Sequence, residues 1–231
     1  MAQYLKCSAC GFIFIPDPHW LPEAYSSALT RADVGAMYRN QLCTSVTSSV
    51  IGMLRPNAKQ FLDFGGGHGV FVRMMRDYGF DFHWSDAYAE NLFARGFEQK
   101  RSSSYDLVTA YEVLEHLPRP MDEISRMMEL ADDVLVSTEV LPEPPPQPKQ
   151  WWYYTPSTGQ HISFYSTRAL EVIAKTFGRR LLSKRSFHLF TRNEASPLLF
   201  SIATQPRIAR VLKFLVRRPS LMDADFKMFT T

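Results

Sequence analysis

Phe61-Leu62-Asp63-Phe64-Gly65-Gly66-Gly67-His68-Gly69 is the stretch on which the fold turns. An apolar run ends in an acid and gives way to a loop with glycine at 65, 67 and 69. Val70, Phe71, Met74, Met75 and Tyr78 then recur at three- and four-residue spacing, which is the period of a helix. Strand, glycine loop and helix in that order make a nucleotide-type pocket, because glycine turns the chain at positive φ and lets a ligand lie against bare main chain. A dinucleotide fingerprint needs G-x-G-x-x-G, and Val70 stands where its third glycine belongs. A tight βα turn with no ligand is the plainer alternative.

Beyond the loop, Phe80-Asp81-Phe82-His83-Trp84-Ser85 reads as a second strand ended by Asp86, 19 residues after Gly67. A carboxylate there offers two oxygens to the two hydroxyls of a ribose. The competing role is a helix N-cap for residues 87–96, and the two are compatible. Further on, Tyr105-Asp106-Leu107-Val108-Thr109-Ala110-Tyr111 is an apolar strand. It runs into Glu112, Glu115 and His116, then a proline that opens a helix. Taken alone, Glu-x-x-Glu-His fits a metal half-site or a solvated turn.

Acid plus G-x-G-x-G, an acid after the second strand, and D-L-V…E-V-L-E-H, in this order, resemble the class I S-adenosylmethionine-dependent methyltransferases of small-molecule type. The resemblance covers roughly residues 58–190. It implies an α/β, Rossmann-like, doubly wound sheet of seven mostly parallel strands in the order 3-2-1-4-5-7-6. The last strand would be antiparallel, and a helical cap would precede the sheet. The implied cofactor is S-adenosylmethionine, with Asp63, Gly65, Gly66 and Gly67 shaping its methionine and ribose pocket. Asp86 would hold the ribose, Ala87 would border the adenine and Glu112 would sit by the methionine part. His161 and His116 are the candidate catalytic bases, and no metal is expected. His161 stands in a Gly-x-His shortly before a helix N-cap at Ser166 or Thr167, a pattern that recurs in such enzymes. Imidazole, with an ordinary pKa near 6.5, can take a proton from an attacking hydroxyl.

Two departures from the family's pattern stand out. Lys100-Arg101-Ser102-Ser103-Ser104 holds no acid for the adenine amino group, which leaves backbone and hydrophobic contacts near Ala87 and Tyr88. There is also no Asn-Pro-Pro-Tyr or Asp-Pro-Pro-Tyr loop, which argues against enzymes that methylate amino groups of DNA or glutamine.

The chain of 231 residues carries a net charge of +3, too little to imply nucleic-acid or membrane partners. No apolar run has the length of a membrane span, and three cysteines that cannot all pair fit a reducing, cytoplasmic setting. The expected partner is a small-molecule methyl acceptor, with the chain a monomer or homodimer. Residues 1–20 contain Cys7-Ser8-Ala9-Cys10-Gly11, half of a zinc knuckle, with Cys43 and His19 the other donors within reach of the argument. A relic held by Phe12, Ile13 and Phe14 is the expectation. Residues 21–57 read as a helical cap, with Tyr25, Leu29, Val34, Met37 and Tyr38 on one face; Tyr25, Tyr38 and Arg39 are candidate substrate contacts. Residues 58–204 read as the cofactor-binding domain and 205–231 as an amphipathic tail.

Within the domain, strands are expected near 60–64, 80–85, 105–111, 133–138, 179–188 and 197–204, with a weak third strand at 96–99. Helices are expected near 68–78, 87–95, 120–130 and 167–177. The proline-rich segment 142–148 is a stiff connector leading to Trp151-Trp152-Tyr153-Tyr154, a lid or substrate wall in which half the rings would cover core. In the tail, Ile208, Val211, Leu212 and Leu215 share a face expected to pack inward or against a second subunit. Methyl transfer to an oxygen is the favoured function, with carbon or nitrogen as other acceptors. A non-catalytic cofactor-binding subunit of the same fold is the alternative, and a nicotinamide-dependent oxidoreductase is a weaker one.

Overall fold

The structure, a computed structural model, describes residues 2–25, 33–100 and 104–230. Leu29, Arg101, Ser102 and Ser103 lie outside the described residues. In chain order the elements are β1 (Leu5–Lys6), β2 (Ile13–Phe14), α1 (Leu21–Ala24), α2 (Ala36–Leu54), β3 (Gln60–Phe64), α3 (Val70–Asp77), β4 (Asp81–Ser85) and β5 (Leu107–Tyr111). There follow α4 (Pro120–Leu130), β6 (Asp133–Ser137), β7 (Ser163–Phe164), α5 (Thr167–Thr176), β8 (Arg180–Lys184), β9 (Phe187–Thr191), α6 (Pro197–Ala203), α7 (Pro206–Val216) and α8 (Met222–Thr230).

The main sheet has the order β4-β3-β5-β6-β9-β8. β4, β3, β5 and β6 run parallel, and β9 is antiparallel to both β6 and β8. Alternation along the central strands sends neighbouring side chains to opposite faces. Phe61, Leu107, Leu135 and Leu189 enter one core beneath α2, α3, α6 and α7. Their neighbours Leu62, Val108, Val134, Val136 and Phe190 enter the other, beneath α4 and α5. Helices on both faces explain why successive residues such as Phe61 and Leu62, Leu107 and Val108, or Val134 to Val136 are apolar instead of alternating with polar ones.

Of the seven strands expected, the third is reduced to a parallel bridge between Trp84 and Glu98. The Trp84 N–H donates to the Phe97 carbonyl at 2.7 Å and the Gln99 N–H to the Trp84 carbonyl at 2.7 Å, so the edge is paired over one residue only. Residues 179–188, read as one strand, are instead the start of a hairpin in which Arg185 adopts φ 55 between β8 and β9. Residues 197–204, read as a strand, form α6: Ser196 caps it by accepting from the Leu199 N–H, and Pro197 opens its first turn. No helix forms over 87–95. There, Asp86 accepts from the N–H of Tyr88 and Ala89, Asn91 accepts from that of Ala94, and the His68 carbonyl accepts from those of Leu92 and Phe93. Donors satisfied in this way have no need of an i−4 carbonyl.

The helix read from Glu23 to Leu54 is interrupted. α2 begins at Ala36 and is buried without a break from Cys43 to Ile51, although that run holds Thr44, Ser45, Thr47, Ser48 and Ser49. Each of these hydroxyls donates to the carbonyl four residues back, which removes the cost of burying it. Val34, Met37 and Tyr38 lie before the buried run and are exposed, contrary to the face predicted for them.

Near the N-terminus, β1 and β2 form a hairpin that joins β7 in a three-stranded sheet. Phe12 stacks on Phe14 at 5.7 Å and tilts against Tyr165 at 5.0 Å, and the Ser166 hydroxyl donates to the Cys10 carbonyl. Side-chain packing thus holds the Cys7–Cys10 turn on the domain. The tail helix α7 packs on α2 through Ala209 and Val216, and Val216 closes on Gly52 so tightly that a Cβ there would lie 2.4 Å from it. Ile208, Val211 and Leu215 point outward instead of inward, because the small residues make the closer approach. Among the described residues, no helix is long and apolar enough to cross a membrane.

Candidate active site

The glycine loop is stitched to the end of β4. The N–H groups of Gly65 and Gly66 donate to the Ser85 carbonyl at 2.7 and 3.1 Å, and the Trp84 indole donates to the Gly67 carbonyl at 2.8 Å. Asp86 closes the loop from above, its Oδ2 accepting from the Gly67 N–H at 2.9 Å. Its Oδ1 accepts from both Tyr88 and Ala89, so Oδ2 alone keeps a free lone pair while the carboxylate is held rigid. Ala87 and Tyr88 are exposed beside it, and Tyr88 stacks on Tyr25 at 5.5 Å.

Asp63 lies at the root of the loop, 4% exposed, accepting from the Thr109 hydroxyl at 2.7 Å. Burial pushes its pKa up to about 7, against the Thr109 hydrogen bond and with help from Asp86. The folded state therefore holds a proton between about pH 4 and 7 that the unfolded chain has released, so ionising Asp63 costs stability as pH rises through that window. Asp63→Asn removes the cost. Thermal unfolding at pH 5 and pH 8 should show the variant gaining on the wild type by about 5 °C between the two, at roughly 2–4 °C per kcal/mol for a chain of this size. A difference independent of pH would refute the assignment.

Glu112 ends the neighbouring strand β5 with φ 53. Its Oε1 accepts from the Ser137 hydroxyl at 2.8 Å, and its N–H donates to the same oxygen at 3.0 Å. Burial, then the charge of Glu115, push it up to about 7. The 3-10 turn Leu114–His116 buries Glu115 completely, where desolvation raises its pKa to about 7. The Ile162 N–H donates to the Glu115 carbonyl at 2.8 Å, and this long-range bond brings His161 alongside His116. The two imidazoles meet edge to face at 4.7 Å.

His161 Nδ1 faces the Tyr153 carbonyl at 2.7 Å. A carbonyl only accepts, so Nδ1 carries the proton and Nε2 presents a lone pair. His116 Nδ1 lies 2.7 Å from the Tyr25 hydroxyl. Burial, then its neighbour His161, push His116 down to about 3, and burial lowers His161 as well. Both imidazoles are neutral near pH 7.

The predicted residues therefore fall into two groups at the carboxyl ends of the strands. Asp63, Gly65, Gly66, Gly67, Asp86 and Ala87 surround the loop; Glu112, His116 and His161 gather beyond β5. Tyr25 reaches the second group, whereas Tyr38 is exposed and accepts from Arg210 at 3.0 Å. Arg39 pairs with Asp33, and its charge also reaches Glu112. Trp152 is 71% exposed, while Tyr153 and Tyr154 are buried. The sequence reading misses Tyr153, whose hydroxyl donates to Glu115 Oε1 at 2.6 Å while its carbonyl anchors His161. It reads Glu115 only as part of a metal half-site or a solvated turn. The signal was there in its flanks, since Leu114 and Leu117 draw the turn inward.

No curated protein matches the sequence significantly. Among solved structures, the chain is similar to an O-methyltransferase family protein from Burkholderia thailandensis, with 14% identity and a TM-score of 0.52. That match covers 77% of this chain and 68% of the other. The protein TnmH is similar with 17% identity and a TM-score of 0.54, over 74% of this chain and 60% of its own length. Likeness at these identities concerns the fold alone. The sequence profile of one family, described as a methyltransferase domain, matches residues 38–184, well over half of the chain. The protein belongs to the methyltransferase-domain family.

Proposed function

We propose that this chain transfers the methyl group of S-adenosylmethionine to an oxygen of a small-molecule acceptor. The observation that carries the reading is the open cradle at Gly67. This residue has φ 53, and a Cβ placed on it would meet nothing within 4 Å, so bare main chain faces free space at the strand ends. Asp63, Asp86 and Glu112 surround that space with carboxyl groups, which suits a ligand carrying a ribose diol and a sulfonium cation. When bound, the cofactor supplies a methyl group already activated for displacement.

The residues of the chain then hold and orient. Asp86 receives a ribose hydroxyl on the Oδ2 lone pair that its backbone contacts leave free. Glu112, fixed by Ser137, lies toward the methionine part. Alignment and exclusion of water supply most of the acceleration in such a reaction. An oxygen acceptor must also lose a proton, and the Nε2 lone pair of His161 is the better base of the pair. His116, held near 3, keeps a proton too weakly to serve and instead orients its neighbours.

Calorimetric titration with S-adenosylhomocysteine, beside NADH, tests the reading. Binding of the first alone is expected, weakened about tenfold or more by Asp86→Ala, equivalent to about 1.4 kcal/mol. Asp86→Asn, which retains one carbonyl oxygen, should lose less. Binding of neither ligand would reduce the glycine loop to a turn.

A further inference from the structure

Resting on the methyltransferase reading, the geometry points to a site for one first-row divalent cation held by Glu115, His116 and His161, with a side open to the acceptor's oxygen. One donor atom of each residue lies within 4.8 Å of the other two. Among the described residues this is the one group of three His, Cys, Asp or Glu donors so placed. From sequence, Glu112-x-x-Glu115-His116 is half a metal site at most, and no ion is expected. The other half arrives from 45 residues further on, where His161 is held by the backbone bond between Ile162 and Glu115.

Two observations beyond proximity favour a cation. Glu115 is 0% exposed, and its Oε2 has no hydrogen-bond partner. A carboxylate oxygen left this way is costly, and a coordinated cation removes the cost. The second observation is Tyr153. Its carbonyl takes the Nδ1 proton of His161 and frees Nε2, and its hydroxyl occupies Glu115 Oε1 and leaves Oε2 unpaired. Metal-binding imidazoles and carboxylates are oriented by outer partners of this kind. The Tyr25 hydroxyl, 2.7 Å from Nδ1 of His116, is the corresponding outer partner of the second imidazole.

An ion about 2.1 Å from each donor requires the donors to approach within about 4 Å of one another. Binding therefore entails side-chain rotations that draw the donors in from their present separations, all within 4.8 Å. Two imidazoles and one carboxylate suit Zn²⁺ or Mn²⁺ ahead of Mg²⁺ or Ca²⁺, which prefer shells of oxygen. Three protein ligands leave coordination positions open, as catalytic rather than structural sites do. The acceptor hydroxyl would occupy one of them and lose its proton to water under the field of the cation. His161 would then serve as a ligand rather than as the base.

The test is calorimetric titration of metal-stripped protein with ZnCl₂ and MnCl₂, beside MgCl₂, in a Cys7→Ser, Cys10→Ser background that keeps zinc off the thiol pair. Electron paramagnetic resonance of Mn²⁺ reads the ligand environment independently. One equivalent of Zn²⁺ or Mn²⁺ is expected to bind, with Mg²⁺ weaker. Glu115→Gln and His161→Ala should each weaken it by about 100-fold or more, and Tyr153→Phe by about tenfold. Unchanged affinity for S-adenosylhomocysteine shows that the variants are folded. Absence of metal binding, or binding indifferent to Glu115→Gln and His161→Ala, overturns the site while leaving the methyltransferase reading intact if S-adenosylhomocysteine still binds. Metal binding without S-adenosylhomocysteine binding would uphold the site and overturn the reading beneath it.

Discussion

Gly67→Leu is expected to weaken binding of S-adenosylhomocysteine by about 100-fold or more, about 2.7 kcal/mol, in a protein that still folds. The four loop glycines differ in what a side chain would strike. At Gly65 a Cβ would lie 2.6 Å from Val113, and at Gly66 it would lie 2.8 Å from Trp84 and 2.9 Å from Asp63. At Gly69 it would lie 2.9 Å from Asn91 and 3.0 Å from the Ala94 nitrogen. Substitution at those three positions disturbs the protein itself. A side chain at Gly67 meets nothing, so the steric cost falls on whatever lies over the loop.

Backbone strain remains, because a non-glycine residue at positive φ costs roughly 1–2 kcal/mol. Gly178 supplies the control: it has φ 61, a Cβ there would likewise meet nothing within 4 Å, and it follows α5. Gly178→Leu should lower the melting temperature by a similar few degrees and leave S-adenosylhomocysteine binding unchanged. Gly67→Asn, tolerated in the left-handed region, should lose binding with less strain. If Gly67→Leu binds as the wild type does, the ligand does not lie against this loop and the cofactor pocket has been put in the wrong place.

The loop was legible in sequence because its information is local. An apolar strand, an acid, alternating glycines and a helical period follow one another without a gap, and β3 falls on the predicted 60–64. α4 likewise falls on 120–130, where Pro120 marks its start. Readings failed where a distant or polar partner satisfies the backbone. The 87–95 segment has helical spacing, yet Asp86, Asn91 and His68 take its N–H groups. The β8–β9 turn places an arginine at positive φ, and no glycine or asparagine marks it. In the candidate site, Asp63, Asp86, Glu112, His116 and His161 could be read as residue types at meaningful spacing. Tyr153 could not, since its role depends on a carbonyl as much as on its hydroxyl. The inward packing expected of the tail's stripe fails for another reason. An amphipathic stripe is visible in one dimension, but the close approach of Ala209 and Val216 to Gly52 is not.

Arg76→Met is expected to destabilise the protein by about 3–5 kcal/mol, the range for breaking a buried ion pair from one side. Arg76 is 5% exposed and donates through Nε and Nη2 to both oxygens of Asp225 on α8, at 2.9 and 2.6 Å. It also donates to Asp81 and to the Phe82 carbonyl, and its guanidinium lies 3.6 Å above the Phe97 ring. Methionine keeps the apolar stem and leaves the Asp225 carboxylate, itself 8% exposed, with Arg73 as its remaining cation. Burial pushes the Asp225 pKa up, but the Arg76 and Arg73 hydrogen bonds outweigh it and hold the acid below the usual range. A depressed acid contributes stability that is present above its unfolded pKa and lost as pH falls through its folded pKa. The anchor should therefore be intact at neutral pH and fail in acid. Thermal unfolding should show a drop of about 10 °C for Arg76→Met at pH 7, at roughly 2–4 °C per kcal/mol. Arg76→Met with Asp225→Leu should recover much of the loss, because an apolar pair leaves no charge stranded. A loss under about 1 kcal/mol would mean that Arg73 and solvent suffice for Asp225. The effect should reach the ligand as well. Phe229 of α8 packs on Phe97 at 5.7 Å and lies where a Cβ on Gly96 would be. Phe97 in turn accepts the Trp84 N–H through its carbonyl, and Trp84 holds the Gly67 carbonyl. Through this chain of contacts α8 braces the glycine loop, so Arg76→Met should weaken S-adenosylhomocysteine binding even though it lies outside the pocket.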